Sequence, residues 1–133
     1  MSRKYSTALI LLAICLFAAV SCSPGELPPL EGEPAELADD FISCLAKSDY
    51  EGAVDYFDAK MKRAMPVRKL EQIWTELEGQ IGPYEQQTDM REEFVDGYDV
   101  VFVTAEFRDD SVVIRVVFDE NRRVAGLWFD PVQ

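Results

Sequence analysis

Residues 98–118 read YDVVFVTAEFRDDSVVIRVVF, and the fold turns on this stretch. Two runs rich in Val, Phe and Ile flank Arg108-Asp109-Asp110. Branched and aromatic side chains suit a pleated, half-buried surface. Runs joined this tightly pair antiparallel, because a parallel pair needs a crossover of a dozen or more residues. With Asp109-Asp110 as a two-residue loop, Phe107 opposes Val112, Ala105 opposes Ile114 and Thr104 opposes Arg115. One face then carries Val101, Val103, Ala105, Phe107, Val112, Ile114, Val116 and Phe118. It is wholly apolar, so it faces the rest of the core. The opposite face carries Tyr98, Val100, Phe102, Thr104, Glu106, Val113, Arg115 and Val117, too apolar to be left entirely to water.

The same pattern extends on both sides. Asp96-Gly97 is a hairpin turn signal, with a weaker strand before it from Tyr84 to Val95. Glu120-Asn121-Arg122 leads to a last strand, Arg123–Phe129, which at matching parity adds Val124, Gly126 and Trp128 to the second face. Upstream the period changes to that of helices. Leu37, Phe41, Cys44 and Leu45 form an apolar stripe over Ala35–Lys47, which makes Cys44 a buried, inert thiol. Ser48-Asp49-Tyr50-Glu51 is a capping box that starts a second helix with Tyr50, Val54, Phe57 and Met61 on one face. Pro66 opens a third with Leu70, Ile73, Trp74, Leu77 and Ile81, and Gly82-Pro83 stops it. Helices first and a meander after predict an α+β domain over 35–133, with three helices on a curved antiparallel sheet of about four strands.

The residues before this domain read differently. Arg3 and Lys4 precede an unbroken apolar run at 8–20, ALILLAICLFAAV. Thirteen residues suit the central region of a signal peptide and fall short of the roughly 20 that span a membrane. The run ends in Ala19-Val20-Ser21-Cys22, which resembles the lipobox of prokaryotic lipoproteins. The resemblance implies a signal peptide at 1–21 and lipid on Cys22, with the protein extracytoplasmic and anchored in the cell envelope. A plain secretory signal cut at a similar place and an uncleaved membrane helix are the other readings of the same run. Residues 23–34 hold four of the seven prolines and two of the seven glycines. They read as an extended spacer, 22–34 with the lipidated Cys, that lifts the domain off the membrane. With Cys22 lipidated, Cys44 has no disulfide partner.

Composition narrows the function. The 133 residues carry 13 basic and 25 acidic side chains, a net charge of −12. A chain of this sign is repelled by nucleic acid. The absence of His excludes Ser-His-Asp and Cys-His catalysis and imidazole-based metal sites. Asp39-Asp40, Asp55 with Asp58, and Asp109-Asp110 read as solvated surface, and Gly79-x-x-Gly82 ends a helix instead of opening one on a phosphate.

Residues 35–131 resemble a small uncharacterised domain of nuclear-transport-factor-2-like fold, found alone in prokaryotic lipoproteins and also ahead of α/β-hydrolase domains. The resemblance rests on Ser48-Asp49-Tyr50-Glu51 with Ala53 and Phe57, on Leu70, Trp74 and Gly82, and on Tyr98-Asp99. It continues through Phe118-Asp119 and Val124-Ala125-Gly126-Leu127 with Pro131. It implies a cone of helices and curved sheet and carries no active site, cofactor or metal. Trp74, Arg115 and Trp128 are the ligand-binding candidates, with Arg115 either an anion anchor or the diagonal partner of Glu106. Tyr98, Phe102 and Trp128 are the candidates for a twofold dimer face. The expected function is a non-enzymatic binding or interaction module. The alternative is an enzyme using carboxylates on a small molecule in the cone.

Overall fold

The computed structural model describes residues 27–132. The expected signal peptide and Cys22 lie outside the described residues. Four helices precede four strands: α1 Pro34–Ala46, α2 Tyr50–Val54, α3 Ala59–Ala64, α4 Val67–Ile81, then β1 Tyr84–Val95, β2 Tyr98–Phe107, β3 Ser111–Phe118 and β4 Val124–Pro131. The strands form one open antiparallel sheet in the order β1-β2-β3-β4. The class is α+β, and the sheet is a plain meander.

There are four helices where three were expected, because the second is cut in two. Phe57 is fully buried and makes a parallel bridge to Val124, with Val124 N–H donating to the Tyr56 carbonyl at 2.8 Å and Asp58 N–H to the Val124 carbonyl at 2.9 Å. Backbone committed to a strand edge cannot continue an i→i−4 ladder, so the helix ends at Val54 and restarts after Asp58. The Asp58 carboxylate caps α3 by accepting from Met61 N–H at 2.7 Å. The capping box also moves by one residue. Asp49, not Ser48, caps α2, accepting from Gly52 N–H at 2.9 Å, while Ser48 takes a φ of 62° to turn the chain out of α1.

The β2–β3 register differs from the expected one by two residues: Ala105 opposes Val112 and Phe102 opposes Arg115. The loop is longer because its amides are drawn elsewhere. Arg108 N–H donates to the Pro83 carbonyl at 3.0 Å and Asp109 N–H to that of Ile81 at 2.8 Å. Gly82, at φ 90°, makes this turn possible. A slip of two keeps every side chain on its face. The apolar face is therefore buried as expected from Val101 to Phe118, against Phe41, Phe57, Leu70 and Trp74. Only Val124 changes sides. A bulge opposite Val117 and Phe118 turns it onto the helix face, where it is fully buried.

Residues 27–33 were expected to stand off as a spacer; they lie against the domain instead. Leu30 packs on the core and its N–H donates to the Asn121 carbonyl at 2.9 Å. Arg122 donates to the Gly32 carbonyl at 2.6 Å. Arg123, only 7% exposed, donates through Nε to the Pro28 carbonyl at 2.7 Å, and through Nη1 to those of Asp55 at 2.9 Å and Phe57 at 3.1 Å. One guanidinium thus ties together the arm, the α2–α3 break and the start of β4. The arm forms no ladder of its own that would use the Pro28 and Gly32 carbonyls, and the two arginines take them.

Candidate functional site

The space between the layers is filled. Trp74 is buried among Tyr84, Phe107 and Phe129, with ring centroids 5.8, 5.4 and 6.3 Å away. Its place in α4 and these tilted contacts make it a packing residue at the centre of the core. Candidate surfaces therefore lie outside the core, on the outer sheet face and in surface grooves, among them one of about 490 Å³ bordered by Asp49, Glu51, Val67 and Glu71.

The outer face gathers the remaining candidates. Arg115 lies beside Trp128 in the ladder, and its guanidinium sits over the indole at 4.6 Å from the ring centre. Arg115 Nε donates to Asp130 Oδ2 at 3.0 Å. The expected partner Glu106 instead accepts from Gln86 at 2.9 Å. The two-residue slip moved Glu106 away, and β4 brought Asp130 alongside. One strand over, Arg91 covers the Phe102 ring at 4.2 Å and pairs with Glu93. The Trp128 ring also lies against Gly126, where a Cβ would meet Cζ3 at 2.5 Å. So this face is partly covered by its own arginines and by Trp128. Val100 is buried and Phe102 half-buried, while Tyr98 and Trp128 stand 44% and 46% exposed. Exposed aromatic rings and arginines are the residue types enriched at protein interfaces.

The larger groove, about 570 Å³, lies at the end of the domain where the β1–β2 turn, α3, the β3–β4 turn and the arm meet. Leu27, Lys60, Arg63, Asp96 and Tyr98 line it, together with Asp58, Asp119 and Glu120. Two of these carboxylates are already engaged. Asp58 caps α3, and Asp119 Oδ1 accepts from the N–H groups of Asn121 at 2.8 Å and Arg123 at 3.0 Å. The second groove, about 470 Å³, runs between the arm, α1 and α2 past Leu30, Asp40, Cys44 and Tyr56.

Cys44 is half-buried at the rim of that groove, not in the core. The buried stripe of α1 centres on Ala38, Phe41, Ile42 and Leu45, which leaves Cys44 at its edge. Burial, then the negative charge of Asp49, pushes its thiol pKa up, so the thiolate is disfavoured. Burial raises the Tyr56 hydroxyl in the same way. Among the described residues, no group of three His, Cys, Asp or Glu side chains is placed to hold a metal ion. No helix among them is long and apolar enough to cross a membrane.

Sequence reasoning missed Arg123, Asp130 and Arg91. Arg123 was legible only as a charge at the head of an apolar strand. Arg91 and Asp130 needed the register before they could be set against Phe102 and Arg115.

The family model described as protein of unknown function (DUF3887) matches residues 38–127. No curated protein and no solved structure gives a match.

Proposed function

The chain belongs to the family described as protein of unknown function (DUF3887), and from that premise we propose that it is an exported, lipid-anchored interaction module without enzymatic activity. The anchor is lipid on Cys22 and the location is the extracytoplasmic side of the envelope. The apolar run and Ser21-Cys22 support this, as they resemble a lipobox. The fold is the nuclear-transport-factor-2-like plan, supported by the order of helices before an antiparallel meander. The partner surface is the outer sheet face of Tyr98, Phe102 and Trp128, and its occupant is a second copy about a twofold axis.

The observation that carries the non-enzymatic reading is the filled core. Phe41, Phe57, Trp74, Phe107 and Phe118 occupy the space between helices and sheet where a cone would hold a substrate. The enzyme alternative has less support, because Asp58 and Asp119 in the larger groove are engaged in capping and turn hydrogen bonds. The anchor is tested by Cys22→Ser in cells. The variant should leave the membrane fraction or stall as unprocessed precursor. A correctly cut, unlipidated chain still wholly in the membrane fraction overturns it.

A further inference from the structure

Five large apolar or aromatic side chains are exposed among the described residues, and three of them, Phe94, Val95 and Tyr98, sit at one hairpin tip. Phe94, at 71%, is the most exposed. The register sets Phe94 opposite Asp99 and Val95 opposite Tyr98. Phe94 therefore belongs to the helix-side face, beyond the reach of the helices, and Val95 and Tyr98 to the outer face. The tip is apolar on both sides. A flat protein partner would cover one side; a two-sided apolar tip suits a medium that surrounds it.

The arm points to the same end of the molecule. Leu27 lines the groove together with Asp96, Gly97 and Tyr98 of the tip and Lys60 and Arg63 of α3. The arm is held there by Arg123 on Pro28 and by Leu30 on Asn121. Cys22 is five residues before Leu27. At about 3.3–3.6 Å per residue, a lipid on Cys22 lies within roughly 17 Å of the groove. We propose that the tip of the β1–β2 hairpin, through Phe94 and Val95, is a membrane-contact wedge that seats the tethered domain on the lipid surface. This rests on the lipid anchor proposed above.

The tether makes a small wedge sufficient. A linker this short holds the tip at an effective concentration on the order of millimolar, so weak contact is populated without affinity in solution. The flanking charges set the kind of surface. Glu92, Glu93, Asp96 and Asp99 surround the tip and oppose anionic headgroups, so the surface that fits is zwitterionic. They also limit depth: Asp96 stands at the turn between the paired Val95 and Tyr98, so its carboxylate stays among the headgroups while Phe94 and Val95 reach the acyl boundary beside it.

The test uses the mature lipidated chain carrying Phe94→Trp, reconstituted in phosphatidylcholine–phosphatidylethanolamine vesicles with and without chain-brominated phosphatidylcholine. The parent protein supplies the Trp74 and Trp128 background. Because position 94 is exposed, the substitution leaves the core intact. The added emission should be blue-shifted and quenched about twofold or more by bromolipid, as expected of a side chain at the acyl boundary. Intact mass of the same preparation reports the lipid. Lipidated protein whose added emission is that of water overturns the wedge and leaves the anchor standing. Blue-shifted but unquenched emission means that protein covers the tip, and also overturns it. A chain without lipid overturns the anchor, and with it the wedge.

Discussion

Replacing Arg123 by Met should be the most damaging single change to an arginine in this protein. The side chain is 7% exposed and its three acceptors are backbone carbonyls of Pro28, Asp55 and Phe57, at 2.7, 2.9 and 3.1 Å. Hydrogen bonds from a charged donor contribute about 1.5–3 kcal/mol each, but carbonyls at the surface recover water when the donor is lost. The Phe57 carbonyl bond is buried, whereas those to Pro28 and Asp55 are only part-buried. Counting the buried bond in full and the others in part gives a loss of about 3 kcal/mol. Methionine keeps the apolar stem packed, so the loss isolates the guanidinium. For a domain of this size the loss lowers Tm by about 10–15 °C. Urea and thermal unfolding followed by Trp74 fluorescence and circular dichroism measure it. Arg122→Met is the control, since Arg122 reaches only the Gly32 carbonyl from an exposed position, and it should cost less than about 1 kcal/mol. Limited proteolysis within residues 27–33 should accelerate in Arg123→Met as the arm is released. A loss below about 1 kcal/mol for Arg123→Met, with the arm still protected, refutes the assignment of this side chain as the tie between arm, helices and sheet.

Gly82→Ala should destabilise by about 2–3 kcal/mol, because it combines a left-handed backbone with a new Cβ against another Cβ. Here φ is 90° and the added atom would lie 2.8 Å from Arg108 Cβ, so an unchanged urea midpoint contradicts the turn geometry. Stability should fall on the alkaline side. Burial raises Cys44 above its ordinary 9.0 and Tyr56 and Tyr84 above their ordinary 10.0, so folding favours their protonated, neutral forms. That contribution is complete below pH 9 and is lost as pH rises through the folded-state values, so a Tm that climbs between pH 9 and 11 would have the wrong sign. Trp128→Glu should leave the fold intact, since the residue is 46% exposed, and should abolish twofold association in sedimentation. An unchanged oligomer would remove the outer face from the interface.

The sheet was readable because alternation survives errors of two. The loop at Asp109-Asp110 was placed two residues short, yet Val101 to Phe118 still face the core. The helices were less readable where tertiary contacts overrode local signals. Tyr50, Val54, Phe57 and Met61 have helical spacing, but Phe57 pairs with Val124, some 67 residues away, and nothing local announces that. The same holds for the spacer, whose prolines read as an extended linker until Arg122 and Arg123 are seen to claim its carbonyls. On the outer face the aromatic residues were legible and their arginine covers were not, since stacking of Arg91 on Phe102 depends on a strand register. Phe94 was legible in composition, as an apolar residue beside Asp96-Gly97. Its exposure follows only from where the helices end.

The central claim is a lipid-anchored, self-associating domain, and native mass spectrometry of the protein extracted from envelopes tests it in one spectrum. The account predicts a chain beginning at Cys22, heavier than residues 22–133 by at least a diacylglyceryl group, in a twofold assembly. An unmodified chain, cut or uncut and monomeric, would contradict it.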